Sequence, residues 1–253
     1  MDTGPVTGGV RVRRLAGHHE VRLMDPAGGN PLGPGLIDPL LAALDQAAAD
    51  PGCRAVLISA AGEHFCRGLD LANVPEEWYA DPAQLPPWRL FSRLHEAPIT
   101  TVALVNGQAT GGGVALAAAC DLVLVGPAAG FRLTELLLGL IPALAMPFIA
   151  ARVGVQPACR MALTATQVGP ADAVRMGLAD LAYPPTGDPA RPLLTMLRRI
   201  APETIRAMKE LRTSLYPRPP EQARTAGLAI IDRLCDPVVR ERIDSFRLAG
   251  VRL

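Results

Sequence analysis

The amino-acid sequence predicts a mostly parallel α/β fold. Three short apolar runs, at 55–60, 99–105 and 121–125, have the length of buried strands. Helical spacing of apolar residues precedes the first run at 36–49 and separates the first two at 87–96. Strands that alternate with helices usually pair in parallel, with the helices covering the sheet. The 253 residues contain no low-complexity linker, so we expect a single domain.

The other elements follow from local patterns. Residues 10–15 and 20–24 predict a hairpin, because two strand-like runs are separated by a glycine-containing turn. Residues 114–120 predict a short helix of small side chains, and 131–134 is a further candidate strand. From Pro189 onward we expect helices, because the prolines stand where helices begin.

Composition excludes several classes of protein. The longest apolar stretch, 136–151, is interrupted by a glycine and two prolines and is too short to cross a membrane. The start of the chain has no apolar segment followed by a cleavage site, so we expect a cytoplasmic protein. The five cysteines are scattered without CxxC spacing, which predicts neither a disulfide framework nor a zinc site. Basic runs with interleaved aromatic residues are missing, so nucleic acid is not an expected partner.

Charge is unevenly distributed along the chain. The net charge is +1, but residues 191–253 contain 13 basic and 7 acidic side chains, which leaves −5 for residues 1–190. The excess of basic side chains in residues 191–253 predicts either an ordinary solvated helical surface or contact with an acidic partner. Lys209 is the only lysine, and its segment carries no other catalytic signal.

Two glycine-containing loops follow buried strands, where α/β proteins tend to bind ligands. The first is 62–71 and the second is 106–113, which ends in three consecutive glycines and opens a helix. Glycines there allow close approach of a ligand, and the free N–H groups attract negative charge. Tight packing of the helix on a strand explains them equally well. Neither loop matches a Walker A or GxGxxG motif.

Glu135 is a lone acid among the apolar residues of 131–139. If its carboxyl group is buried, its pKa rises and it becomes suited to proton transfer. The local sequence favours a simpler interpretation, an acid in the first helical turn after the cap Thr134. We expect the adjacent His18 and His19 to be solvated, since they have no metal-ligand spacing.

Three motifs in order resemble those of the crotonase (enoyl-CoA hydratase/isomerase) superfamily. They are F-x-x-G-x-D-L at 65–71, V-N-G-x-x-x-G-G-G at 105–113 and E-x-x-L-G-x-x-P at 135–142. The resemblance implies the ClpP/crotonase-like α/β spiral of repeated ββα units with a helical C-terminal region. It divides the domain into a spiral core, 1–190, and a helical trimerisation region, 191–253. The implied assembly is a homotrimer or a dimer of trimers.

The same resemblance implies a catalytic site. The backbone N–H groups of Leu69 and Gly112 would form an oxyanion hole, and Glu135 would be the acid/base group. The residues implied to bind substrate are Arg67, Gly68, Gly111 and Gly113. The substrate would be an acyl thioester of CoA or of a phosphopantetheine carrier protein, and the resemblance implies neither a metal nor another cofactor.

Ala115 departs from the pattern of typical hydratases, which carry a second glutamate at this place. One carboxyl group is insufficient for the usual two-acid hydration. Residues 135–154 are similar to the dehydratase of polyketide β-branching cassettes, which implies dehydration of a carrier-bound 3-hydroxy-3-methylglutaryl thioester. The alternatives are a Δ3,Δ2-enoyl-CoA isomerase, another CoA-thioester hydratase and a non-catalytic binding protein. The candidates for a second acid are His64, Tyr79 and His95.

Overall fold

The computed structural model describes residues 6–71 and 73–248. Its strands are β1 (Val6–Thr7), β2 (Val10–Leu15), β3 (His18–Leu23), β4 (Ala55–Ala60), β5 (His64–Cys66), β6 (Thr100–Val105), β7 (Gln108–Thr110), β8 (Leu122–Val125), β9 (Gly130–Arg132) and β10 (Leu181–Ala182). Its α-helices are α1 (Pro34–Ala49), α2 (Pro86–Glu96), α3 (Gly112–Ala118), α4 (Met146–Val153), α5 (Val155–Thr164), α6 (Pro170–Arg175), α7 (Arg191–Leu197), α8 (Pro202–Leu215), α9 (Pro220–Cys235) and α10 (Pro237–Leu248). Short 3₁₀ helices span Glu76–Ala80, Pro82–Gln84 and Glu135–Leu138.

The strands form two sheets. The larger sheet has the order β1-β2-β3-β4-β6-β8-β10, and every pairing from β3 onward is parallel. The smaller sheet has the order β5-β7-β9 and is also parallel. Each of β4, β6 and β8 is followed by a short strand of the smaller sheet and then by a helix. This repeat confirms the predicted parallel α/β fold and the crotonase spiral of ββα units.

The large sheet is covered on both faces, as parallel sheets usually are. Alternate residues of β4 and β6 point to opposite sides: Val56 and Ile58 join the main core, whereas Ala55 and Leu57 join a second one. The second core is completed by α7 and α8 through Leu194, Leu197 and Ile205. Residues 191–215 therefore close the same domain. No helix within the described ranges is long and apolar enough to cross a membrane.

The expectation that His18 and His19 are solvated is wrong. Their exposed fractions are 6% and 1%, and Nε2 of His19 lies 3.1 Å from Oδ2 of Asp50. The hairpin itself is confirmed, but its second strand begins at His18, two residues earlier than predicted. Adjacent residues of a strand point to opposite faces of the sheet, so the two rings are covered from different sides, and His19 contacts Asp50 at the C-terminal end of α1.

Lys209 fastens α8 to the sheet. Its Nζ lies 2.6 Å from Oδ2 of Asp121 and donates to the Ile99 carbonyl at 3.1 Å. Arg212, one turn later, pairs with Oδ1 of the same aspartate at 2.7 Å. Thr101 donates its backbone N–H to the same carboxylate at 2.8 Å. The single lysine is thus a structural anchor for the C-terminal region.

Candidate active site

The three consecutive glycines occupy three different environments. Gly111 has a φ of +55°, and a Cβ there would lie 3.0 Å from Oε1 of Glu135. Gly112 is the first residue of α3, where backbone N–H groups have no helical partner. A Cβ on Gly113 would lie 2.0 Å from the carbonyl oxygen of Cys66. Gly113, implied above to bind substrate, does not line the cavity and instead lets α3 pack tightly on β5.

The other glycine loop brings a second backbone donor to the start of α3. Gly68 has a φ of +84°, and a Cβ there would lie 2.9 Å from the Gly112 nitrogen. Leu32 donates its N–H to the Gly68 carbonyl at 2.7 Å and accepts from the Asp70 N–H at 3.2 Å. Because residues 68 and 70 face Leu32, the intervening Leu69 N–H points to the opposite side, towards Gly112.

These two N–H groups are available for a ligand. Within the described part of the chain, neither the Leu69 N–H nor the Gly112 N–H donates to a protein acceptor. The Leu69 nitrogen lies 3.6 Å from the position that a Cβ of Gly112 would take. Two adjacent unpaired donors at a helix start can stabilise an oxygen that gains negative charge.

Glu135 stands beside these donors. It is the first residue of the Glu135–Leu138 turn, and Thr134 precedes it as the cap residue, without a side-chain cap bond. The predicted first-turn position is therefore correct, but the carboxyl group is not a solvated one. Its Oε2 is fully buried and has no hydrogen-bond partner among the residues that the structure describes. Burial raises the pKa of Glu135 to about 7, although the backbone N–H groups of Glu135 and Thr134 oppose the rise.

A cavity connects Glu135 with the two donors. It is partly open to solvent, and about 80 Å³ of its space is accessible to water-sized molecules. Among the described residues that line it, only Arg67 and Glu135 are ionisable. The Nη1 of Arg67 donates to the Gly28 carbonyl at 3.4 Å, and its buried Nε has no partner within residues 6–71 and 73–248. The other lining residues are Leu32, Gly68, Leu69, Leu71, Pro87, Phe91, Gly111, Gly112, Thr134, Leu138, Leu140, Ile141, Pro142, Ala143, Leu144, Ala145 and Ile230.

The candidates for a second acid lie outside this lining. His64, Tyr79 and His95 are not among the cavity residues. Burial, together with the nearby cations of Arg218 and Arg212, lowers the pKa of His95 to about 3, so its ring is neutral at physiological pH. Ala115, where a second glutamate would stand, is fully buried in α3. Glu135 is therefore the one carboxyl group along the cavity wall within the described residues.

The tertiary structure also adds residues that sequence motifs did not indicate. Leu32 approaches from the loop before α1, Phe91 from α2 and Ile230 from α9. The helical spacing of Phe91 and Ile230 marks them as core positions, and nothing in the local sequence distinguishes a cavity wall from a core. Only the folding of α9 back over the spiral brings Ile230 to the site.

Comparison with known proteins agrees with this architecture. Residues 14–237 match the enoyl-CoA hydratase/isomerase family. A Thermus thermophilus protein provisionally named as an enoyl-CoA hydratase is 38% identical over 204 residues, which cover 77% of this chain and 80% of that protein. The bacillaene synthase dehydratase PksH of Bacillus subtilis is 28% identical over 232 residues, covering 90% of this chain and 89% of that one.

Structural similarity extends over nearly the whole chain. The crystal structure of PksH from Bacillus subtilis superposes with a TM-score of 0.85 and 27% sequence identity, covering 96% of this chain and 97% of that one. That protein is provisionally described as a polyketide biosynthesis enoyl-CoA hydratase. Fold, motifs and relatives agree: the chain belongs to the enoyl-CoA hydratase/isomerase (crotonase) family and is a lyase of the hydratase/dehydratase type.

Proposed function

We propose that this enzyme removes water from a 3-hydroxyacyl thioester, with Glu135 as its single general acid and base. The observation that carries the proposal is the position of the Glu135 carboxylate, against Gly111 at the start of α3. There it adjoins the unpaired N–H groups of Leu69 and Gly112. A proton acceptor and two donors for a developing oxyanion are thereby combined in an otherwise apolar cavity.

The proposed reaction has two steps. Ionised Glu135 removes the C2 proton, the electron pair of that C–H bond forms a C1=C2 double bond, and the carbonyl π pair moves onto the thioester oxygen. The N–H groups of Leu69 and Gly112 stabilise the enolate, each contributing about 3 kcal/mol to the lower barrier. The carbonyl then re-forms as the C2=C3 double bond forms and the C3–O bond breaks. Glu135 gives its proton to the departing hydroxide, so water leaves and the carboxylate is restored.

We infer that the acyl group is 3-hydroxy-3-methylglutaryl on a carrier protein, giving the 3-methylglutaconyl thioester. Two observations support this. The chain is similar in sequence and structure to PksH, which is named as a dehydratase of bacillaene synthase. The cavity is also lined by the cation of Arg67, whose buried Nε lacks a partner in the described part of the chain and suits a distal carboxylate.

The substitution Arg67→Met tests this pairing. We expect KM for a 3-hydroxy-3-methylglutaryl thioester to rise about 10-fold or more, because a charge-assisted hydrogen bond is worth about 1.5–3 kcal/mol. KM for a neutral 3-hydroxyacyl thioester should change much less, which makes the neutral substrate the matched control. Steady-state kinetics with both thioesters measures the difference. An equal effect on the two would exclude a specific contact with the distal carboxylate.

Delivery by a carrier protein makes a separate prediction. The basic excess lies in residues 191–218, with seven basic and two acidic side chains, whereas residues 220–248 carry five of each. A docking surface for an acidic carrier would therefore involve α7 and α8 more than α9 and α10. We expect faster turnover of the carrier-bound substrate than of its CoA ester, and loss of that advantage as salt increases.

Charge reversal locates the contact. Arg199→Glu with Arg206→Glu, both at exposed positions of the α7–α8 region, should reduce the preference for the carrier. Arg224→Glu in α9 is the matched control. Equal rates for carrier and CoA substrates, insensitive to salt, would argue against carrier docking.

The proposed reaction is tested by following both exchange and water loss. Wild-type enzyme should exchange deuterium at C2 of the thioester and release one water molecule per turnover. Isomerisation of a 3-enoyl thioester without loss of water would instead support the Δ3,Δ2-enoyl-CoA isomerase. Absence of C2 exchange with every acyl thioester would support a non-catalytic binding protein.

Assembly as a homotrimer, with 191–253 as the trimerisation region, stays a proposal. It is supported by an exposed apolar row along α8, formed by Met208, Leu211 and Leu215, with exposed fractions of 62%, 53% and 61%. Rows of this kind on one helix face often belong to protein interfaces. The basic residues Arg199 and Arg206 are also exposed in the α7–α8 region, so the other occupant to consider is the carrier protein.

A further inference from the structure

A buried asparagine braces the loop that presents the Leu69 donor. Asn30 is fully buried and has a φ of +55°, which is uncommon for a residue other than glycine. Its Nδ2 donates to the Ala61 carbonyl at 3.2 Å and to the His64 carbonyl at 2.9 Å, while its Oδ1 accepts from the Asp25 N–H at 2.8 Å. Both ends of the amide are therefore used. An aspartate here would keep the acceptor but lose both donors.

The bonds of Asn30 lead directly to the oxyanion loop. The next backbone contacts along the two segments are Arg67 N–H to the Gly29 carbonyl at 3.0 Å and Leu32 N–H to the Gly68 carbonyl at 2.7 Å. Residues 29–32 thus run beside residues 67–70 as a short parallel bridge. Asn30 connects one end of this bridge to the loop at 61–64, through the carbonyl groups of Ala61 and His64.

The same segment touches both halves of the proposed oxyanion hole. The Leu32 side chain lies 3.0 Å from the position of a Cβ on Gly112, so it limits how α3 approaches the loop. The side chain of Arg67 packs so closely on Gly29 that a Cβ there would lie 2.1 Å from its Cδ. Displacement of residues 29–32 would consequently move Leu69, Gly112 and Arg67 relative to one another.

We propose that Asn30 is a positioning residue for the reaction, holding the Leu69 N–H in line with the Gly112 N–H through residues 29–32. The inference rests on the proposed function, because it assumes that these N–H groups stabilise an enolate. Asn30 itself lies outside the cavity lining, so its effect is indirect. An oxyanion donor is effective only when it is held at hydrogen-bond distance from the developing charge.

The test compares Asn30→Gly with wild-type enzyme. Glycine tolerates the positive φ and removes every side-chain bond of Asn30. With a neutral 3-hydroxyacyl thioester, whose binding does not depend on Arg67, we expect kcat to fall about 10- to 100-fold with little change in KM. The upper limit is set by loss of a complete donor, which lowers kcat about 10²- to 10³-fold. The pH midpoint of the reaction, set by Glu135, should stay unchanged. Gln46→Ala removes an exposed amide of α1 that accepts from Arg14, outside the oxyanion loop and the cavity lining, and serves as the matched control, with near wild-type kcat.

Each rate is divided by the concentration of sites able to bind substrate, which is measured by titration with a non-reactive thioester analogue. Partial unfolding of a variant then does not imitate a catalytic defect. If Asn30→Gly does not fold, Asn30→Asp, which keeps the Oδ1 acceptor, is measured in the same way. A wild-type kcat per competent site in the folded variant would overturn the positioning role. Failure of the wild type itself to exchange the C2 proton would overturn the proposed function instead, and the two failures are distinguishable.

Discussion

Replacement of Glu135 by glutamine is expected to lower kcat by about 10²- to 10⁴-fold, the usual contribution of a general acid–base group. Glutamine keeps the shape of the side chain but cannot accept the C2 proton. The backbone donors of Leu69 and Gly112 do not depend on this carboxyl group, so binding of a substrate analogue should survive. A large loss is expected because no other carboxyl group within the described residues lines the cavity.

Steady-state kinetics and circular dichroism check this result together. Glu76→Gln is the matched control, because Glu76 is an exposed carboxylate outside the cavity lining and its loss should leave kcat unchanged. For the wild type, kcat/KM should rise with pH through a midpoint near 7, since only ionised Glu135 accepts a proton. Near wild-type turnover by a folded Glu135→Gln variant would require another base.

The same substitution should change stability in a pH-dependent manner. The pKa of Glu135 is about 7 in the folded protein and near 4.5 as the ordinary value, so the folded state binds more protons between these limits. The contribution of Glu135 to the free energy of unfolding is therefore fully present below pH 4.5 and is lost as the pH rises to 7. Glu135→Gln should gain up to about 3 kcal/mol relative to wild type above pH 7 and nothing below pH 4.5.

The second large effect concerns the anchor of α8. Lys209→Met is expected to lower the free energy of unfolding by about 3–5 kcal/mol, because removing one partner of a buried ion pair leaves the other charge incompletely compensated. Methionine fills a similar volume, so the loss is electrostatic rather than steric. Asp121 would retain its contacts with Arg212 and with the Thr101 N–H, which limits the loss in the free energy of unfolding. The carbonyl groups of Leu94 and Ile99 would also lose a donor.

Denaturant unfolding of the Lys209→Met variant measures this cost. Arg175→Met is the matched control, because Arg175 pairs with Asp172 on the surface, with side-chain exposures of 76% and 55%. Exposed pairs contribute about 0–1 kcal/mol, so the control should remain close to wild type. A similar small change in both variants would show that Lys209 is not an anchor. Catalysis per folded molecule should be unaffected, since Lys209 does not line the cavity.

The sequence alone determined the parallel α/β fold and the positions of the two glycine loops. Strand length, helical periodicity and the need for glycine at positive φ are local properties, so they are visible in the motif around Gly68 and in the run that begins at Gly111. The alternation of β4, β6 and β8 with helices follows from the same local patterns. The sequence also shows directly that position 115 is alanine rather than a second glutamate.

Only the tertiary structure decided which polar groups are buried and what they meet. Glu135 is a first-turn acid by its local sequence, yet its Oε2 is enclosed against Gly111 by a segment more than 20 residues earlier in the chain. His18 and His19 are buried, and His19 contacts Asp50, 31 residues later in the chain. Ile230 reaches the cavity only because α9 folds back over the spiral. Burial depends on contacts between segments distant in sequence, and periodicity within one segment does not specify those contacts.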